Sequence, residues 1–288
     1  MRRDQQVSTG RSGEPQERIA SLKRQSVYQW LSRLGYAARG TVYLVIGWLA
    51  LSLALGWGGK FADSKEAIRY LATMTAGDVI LSTLLIGLVA FSAWRLFQTA
   101  FDPDNHGLAP KGMVIRAGLL ISGLIYLSLA LFVARFQWDL PLPLHAGDKS
   151  YAEWAALLLN KPAGPWLIAG VSCIALASAV GHFFKAVRKT FLRYMVLDDR
   201  QVGWVTLISR IGLLARGSIL LLISWYFARV FVSLNPRHAL DQAGVLKVLH
   251  DQPYGVQLLF VAAVGLMAFG TYGLLEAVFR RIDADALP

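Results

Sequence analysis

Six apolar stretches, spaced along the chain and almost free of charge, leave few folds open to it. A helix that crosses the hydrocarbon core of a bilayer needs about 20 mostly apolar residues, because the core is about 30 Å thick and a helix rises 1.5 Å per residue. Residues 40–59, 117–134 and 256–275 carry no charged side chain, and 162–184 carries only His182. Residues 79–94 resume after Arg95 as far as Phe101, and 217–228 are bounded by Arg216 and Arg229. Those two arginines lie about 20 Å apart along a helix, so each can run its stem through lipid and set its guanidinium at an opposite interface. The reading is an all-α integral membrane protein with six transmembrane helices, at about 36–56, 79–98, 115–135, 165–185, 212–232 and 256–276.

The 288 residues are 55% hydrophobic and only 16% charged, with a mean hydropathy of +0.46. Soluble domains carry roughly a quarter charged residues, so the formal net charge of +11 reads as membrane topology, and no nucleic-acid partner is expected. Six spans place the N-terminal tail, the second and fourth connections and the C-terminus on one side. That side holds 20 of the 29 basic and 10 of the 18 acidic residues, a net +10, and the other side is left with +1. The positive-inside rule puts both termini in the cytoplasm. It also makes membrane lipids, with anionic headgroups at the cytoplasmic face, the expected partners. Residues 1–30 form a basic tail without the apolar run of a signal peptide, expected to be disordered as far as about Glu17. The single cysteine, Cys173, falls inside the fourth span, so no intramolecular disulfide can form.

The chain repeats itself three times. Arg33 to Gly40, Arg116 to Gly123 and Arg210 to Gly217 all read R-x-G-x-x-x-[RS]-G, and they open spans one, three and five. Tyr43 then aligns with Tyr126, and twelve residues past the second glycine Arg135 aligns with Arg229 and with Ser52. After the tail, three membrane repeats cover residues 31–107, 108–200 and 201–288. In each, a short interfacial helix is expected between the two spans. Ser150 to Glu153 has the form of a capping box followed by Tyr151, Trp154, Ala155 and Leu158 on one face. Asp63 to Glu66 with Ile68 and Leu71, and Asn235-Pro236 with Leu240 and Ala243, play the same part, and turns at Gly77, Gly164 and Gly255 lead into the second span. Trp57, Trp138, Trp154 and Trp166 mark the outer interface as an aromatic belt. Two spans per repeat insert every copy in the same orientation. Such parallel repeats allow a pseudo-threefold ring of hairpins or a less symmetric bundle.

The repeat resembles the bacterial family called domain of unknown function 1206, whose members carry three tandem two-helix membrane units. The likeness rests on L-G-Y-A-A-R-G-T-V-Y at Leu34 to Tyr43 and its echoes at Ala117 and Ile211, and it covers everything after the tail. The second copy departs from it, with Ser122 where Arg39 and Arg216 stand. The resemblance implies a multi-pass protein of the bacterial inner (plasma) membrane and no particular activity. Mitochondrial-type carriers share the three-by-two architecture, but their P-x-[DE]-x-x-[KR] gate motif is absent.

No catalytic constellation appears. His106, His145, His182, His238 and His250 sit in different connections or span ends without metal-ligand spacing, there is no G-x-S-x-G elbow or P-loop, and no cofactor is expected. The candidate ligand or lipid contacts are Arg39, Ser122 and Arg216 at the repeated position, with Arg135 and Arg229. Arg39 and Arg216 are read as lying in the first, cytoplasmic turn of their helices, gripping lipid phosphates or capping neighbouring helix C-termini. Glu276 is read as the i,i+4 partner of Arg280, with Gln98 and Lys185 at its place in the other repeats. Gly87, Ala175, Ala179, Gly265 and Gly270 suit close helix packing. The functional expectation is a non-catalytic, lipid-associated or complex-forming membrane protein, and its alternative is a small-solute or ion transporter with a site along the repeat axis.

Overall fold

The computed structural model describes residues 14–102, 107–139 and 150–280, with side chains from Gln29 onward apart from residues 110 and 111. The expected disorder of the tail concerns mainly residues 1–13, and His106 and His145 also lie outside the described residues. Among the described residues six helices are long and apolar enough to cross a membrane. They are α1 (Glu14–Ala54, apolar from Gln29), α3 (Gly77–Phe101), α4 (Pro110–Trp138), α6 (Gly164–Arg188), α7 (Asp199–Ser233) and α9 (Gly255–Phe279). Short helices α2 (Ser64–Ala72), α5 (Tyr151–Leu159) and α8 (Gln242–His250) join them in pairs, so a long–short–long unit occurs three times.

The first helix of each unit starts earlier than hydropathy indicates. Arg33, Arg116 and Arg210 end an apolar window, but a helix continues through charged residues wherever its backbone hydrogen bonds are made. Arg39 and Arg216 therefore stand in mid-helix, Arg216 midway between Asp199 and Ser233, and not in a first turn.

The three short helices are built alike. Asp63, Ser150 and Asp241 are their N-caps, and each side chain accepts the backbone N–H three residues on, from Glu66 at 2.8 Å, Glu153 at 3.2 Å and Gly244 at 2.7 Å. Ser150 and Glu153 close a full capping box. The third helix differs from expectation: Asn235-Pro236 forms a separate 3₁₀ turn, Pro236–His238, and α8 begins only after Asp241. Gly77, Gly164 and Gly255 follow as the first residues of α3, α6 and α9. A Cβ at any of them would collide with the carbonyl of Ala72, Leu158 or His250, so a side chain has no room at this turn in any repeat.

In lipid, helices gain little by hiding apolar surface from one another, so association depends on close packing and interhelical hydrogen bonds. Between repeats, α1 and α9 meet at Gly40, Gly270 and Gly273, α3 and α4 are joined by Ser92 Oγ donating to Gly123 O at 2.9 Å, and α6 and α7 by reciprocal bonds of Ser172 and Ser224 to each other's carbonyls at 2.8 and 2.9 Å. Within the first repeat Gly35 lies on Phe91 and Gly87 on Ala38. Within the third, Gly212 lies on Phe269 and Gly265 on Ala215, the same contacts at equivalent positions.

The second repeat breaks the pattern. Neighbouring spans run α4, α3, α1, α9, α7, α6, and α4 and α6 make no sustained packing contact with each other. A Cβ on Gly118, the counterpart of Gly35 and Gly212, would meet nothing within 4 Å, and the same holds for Gly170 and Gly181 on α6. The cause is in the sequence. Aligned from the turn glycines, Ser178 replaces Phe91 and Phe269, while Ile121 and Ile174 replace the small pairs Ala38·Gly87 and Ala215·Gly265. Two β-branched side chains stand where the other hairpins bring two backbones together, so this hairpin splays. Its short helix is divided from α4 as well: α5 packs on α6 and the Pro236–His238 turn, with Tyr151 edge-on to Phe227 at 6.2 Å. The three parallel repeats thus form a ring interrupted at one place, with α1 and α9 most buried and α4 and α6 at the free ends.

Candidate functional site

The contact between the first and last repeats is made across an ion pair. Arg39 Nη2 on α1 donates to Glu276 Oε2 on α9 at 2.5 Å, and the two side chains are only 10% and 9% exposed. Arg280 approaches the other carboxylate oxygen at 3.5 Å. The i,i+4 pairing of Glu276 with Arg280 is therefore present, but as the longer of its two contacts. The Arg39 guanidinium carbon lies 5.1, 5.5, 5.3 and 5.9 Å from the ring centres of Tyr36, Phe91, Phe269 and Tyr272, which wall it with π faces as well as a carboxylate. Phe91 and Phe269 are the knobs that seat on Gly35 and Gly212, so the small-residue contacts also position the cage.

More cations surround this pair than it neutralises. Arg95 on α3 shares two of the same rings, at 4.7 Å from Phe91 and 5.6 Å from Tyr36, and donates to Gln98 Oε1 at 3.1 Å. Lys185 on α6 is exposed, and Arg95, Glu276 and Arg39 are among the charges that act on it most strongly. Among the described residues Glu276 is shared by Arg39 and Arg280, and no second carboxylate pairs with Arg39, Arg95 or Lys185. The Nε–H groups of Arg39 and Arg95 are buried without an acceptor. Glu276 and Lys185 each sit three residues, about 5 Å, from the end of α9 and α6, and Arg95 lies six residues, about 9 Å, from the end of α3. A 25-residue helix overspans the ~30 Å hydrocarbon core, so this depth is the junction of headgroup and acyl chain.

The repeated position does not converge on one site. Arg39 turns toward Glu276, in the last turn of α9, and is buried there. Arg216, its counterpart, instead donates to Gln242 Oε1 on α8 at 2.6 Å and lies 4.9 Å from the Tyr43 ring. Ser122 is half-buried on α4, and Tyr126, one turn on, packs edge-on against Phe91 at 4.6 Å. Arg135 and exposed Arg229 lie at the short-helix ends of α4 and α7, about 20 Å along the helix from Ser122 and Arg216. Among the described residues no three His, Cys, Asp or Glu side chains gather to hold a metal ion. Cys173 is exposed on α6, and His182 bonds the Ser178 carbonyl at 2.7 Å.

Sequence reasoning placed Lys185 and Glu276 at equivalent positions without setting them against Arg39 and Arg216. The signal was present in the alignment: among the 98/185/276 and 39/122/216 positions, taken from one repeat to the next, only Glu276 and Arg39 have opposite charge.

These features define a six-span helical membrane protein of three two-helix repeats, locked at one junction by a caged ion pair and open within the second repeat. Residues 34–102, 117–189 and 211–280 match the family described as Domain of Unknown Function (DUF1206), and the chain belongs to that family. Each matched segment begins directly after the motif arginine and covers one long–short–long unit. The chain is also similar to the Uncharacterized protein YxxB of Bacillus subtilis (strain 168), with 28% identity over 274 residues, covering 92% of this chain and 97% of the relative. No solved structure matches.

Proposed function

We propose that this is a non-catalytic, lipid-associated protein of the bacterial plasma membrane, with both termini cytoplasmic, that admits bilayer lipid between α4 and α6. The observation that carries the reading is the interrupted ring: two neighbouring repeats close their hairpins with the same contacts, and the second, with Ile121 and Ile174 at the equivalent crossing, leaves an apolar cleft. In a bilayer such a cleft is filled by acyl chains. The excess of basic residues on the terminus-bearing side supports the orientation.

The test uses cysteine pairs in a Cys173→Ser background in native membranes. A disulfide forms only where Cα atoms come within about 7 Å. Gly118→Cys with Ser178→Cys is expected to stay reduced under oxidant, while Ser92→Cys with Gly123→Cys, across the packed α3–α4 junction, cross-links. A bimane at position 118 is expected to be quenched by lipid brominated on its acyl chains. Efficient cross-linking of 118 to 178 without quenching would overturn the reading, as would saturable uptake of a water-soluble solute that Arg216→Ala abolishes.

A further inference from the structure

We infer that Lys185 and Arg95 form the headgroup end of the cleft and select an anionic phospholipid from the leaflet on the terminus-bearing side. The inference rests on the lipid-cleft reading and names the chemistry of its occupant. Lys185 stands on α6, one wall of the cleft, and among the described residues has no hydrogen-bond or ion-pair partner. Lys185 lies eleven residues, about three helical turns, beyond Ile174 and so shares its face of α6, and Arg95 is among the charges that act on it. Both Arg95 and Arg39 lie against the Phe91 ring, so their guanidinium carbons are no farther apart than the two ring distances of 4.7 and 5.5 Å together. Tyr126, on the opposite wall α4, packs edge-on against the same Phe91 ring at 4.6 Å.

The nearest carboxylate cannot serve these cations. Glu276 is taken up by Arg39 at 2.5 Å, with Arg280 on its second oxygen. Arg95 is left with a neutral amide as acceptor, and its Nε–H is buried with none. A phosphate oxygen accepts from guanidinium and ammonium donors together, and a lipid phosphate arrives at the depth where Lys185 and Arg95 stand with its acyl chains already directed into the cleft. A zwitterionic headgroup carries its own cation back to the site, and an anionic one does not. Charge complementarity therefore favours phosphatidylglycerol over phosphatidylcholine of the same chains.

Delipidated, detergent-purified full-length protein is titrated with phosphatidylglycerol, phosphatidylcholine or inorganic phosphate, and bound lipid is counted by native mass spectrometry. Phosphatidylglycerol is expected to bind at least about fivefold tighter than phosphatidylcholine, since each cation near a membrane surface contributes on that scale. Lys185→Gln and Arg95→Gln should each remove most of that preference, Lys185→Arg should restore it, and Arg188→Gln, an exposed basic residue one turn away on α6, should leave it unchanged. Equal binding of the two lipids, or an equal effect of Arg188→Gln, would overturn the headgroup site while the cleft stands. Binding of neither lipid, with the 118–178 disulfide forming, would overturn both. Inorganic phosphate displacing phosphatidylglycerol at equal concentration would show a site for the free anion and overturn the lipid assignment.

Discussion

Gly35, Gly118 and Gly212 occupy one position in three copies of the same motif, yet replacing them with alanine should have opposite effects. At Gly212 the new Cβ would fall 2.5 Å from Phe269 Cα and 2.7 Å from Ala268 C, both backbone atoms that cannot rotate away. At Gly35 it would fall 2.6 Å from Phe91 Cα and Cβ. Carbon atoms rest at about 3.5 Å or more, so α7 and α9, or α1 and α3, must part by about 1 Å. Over-packing of that kind costs about 1–3 kcal/mol. At Gly118 the added methyl meets nothing within 4 Å and gains the helix propensity of alanine over glycine, up to about 1 kcal/mol. The assay is reversible unfolding in mixed micelles titrated with dodecyl sulfate. Gly35→Ala and Gly212→Ala should each lower the unfolding free energy by at least about 1 kcal/mol, and Gly118→Ala should leave it unchanged or raise it. An equal loss at Gly118 would mean that α4 packs on α6 as the other hairpins pack, and would refute the interrupted ring.

Other consequences follow from single contacts. Glu276→Gln leaves Arg39 charged inside its aromatic cage and should destabilise by about 3–5 kcal/mol, with Arg39→Gln in the same chain recovering part of the loss, measured by the same unfolding assay. Ser172→Ala and Ser224→Ala should each loosen the α6–α7 junction, with a coupling of about 0.6 kcal/mol in a double-mutant cycle. Two carboxylates on the short helices should give pH slopes of opposite sign. The Glu66 carboxyl is held below the usual carboxylate range by hydrogen bonds from Lys60 and then Arg69, against the opposing effect of burial, so its contribution is complete above the ordinary glutamate range and is lost as pH falls through the depressed value. Because the group is close to the surface this amounts to less than about 1 kcal/mol, and Glu66→Gln should remove it. Asp241 is pushed up by burial, against its bond from the Gly244 N–H and with Asp63 adding to the shift, so folding weakens as pH rises through the aspartate range. Asn caps as well as Asp, so Asp241→Asn should unfold no more easily at neutral pH and should flatten that slope.

The parts of the fold that sequence shows are those with a local cause. Six spans follow from hydropathy, three units from the R-x-G motif, and the α5 capping box from Ser150 and Glu153. Span starts were missed because Arg33, Arg116 and Arg210 interrupt apolarity without interrupting the backbone ladder. The Asn235-Pro236 start was displaced because proline at that point sets up a short 3₁₀ turn, and Asp241 supplies the better cap. The Arg39–Glu276 pair joins residues 237 positions apart, and no periodicity within one helix points to it. Glu276 has a plausible local partner in Arg280, which conceals the stronger distant one. The open hairpin is hidden differently: Gly118 keeps its motif, while the residues that forbid closure, Ile121 and Ile174, read as ordinary apolar membrane residues.

Why, among the described residues, one inter-repeat junction carries an ion pair follows from what each would bury. A faithful threefold copy would place an acid and an arginine at all three inter-repeat junctions, six ionised groups near the hydrocarbon, each of which costs more to desolvate than its partner returns unless the geometry is excellent. The chain places one such pair where α1 and α9, its two most buried spans, meet, and surrounds the arginine with four rings. At α3–α4 the corresponding residues are Gln98 and Ser122, and the junction is held by Ser92 Oγ donating to Gly123 O and by the Arg116 guanidinium donating to the Thr99 carbonyl at 2.7 and 3.0 Å. At α6–α7 they are Lys185 and Arg216, two cations that cannot pair. Arg216 is drawn toward Gln242 on the short-helix side, leaving Lys185 without an ion-pair partner among the described residues on the one hairpin that does not close. The differences among the three copies therefore fall on two places: the junction between first and last repeats carries the buried pair, and the second repeat combines the open helix contact with a cation that has no carboxylate partner among the described residues.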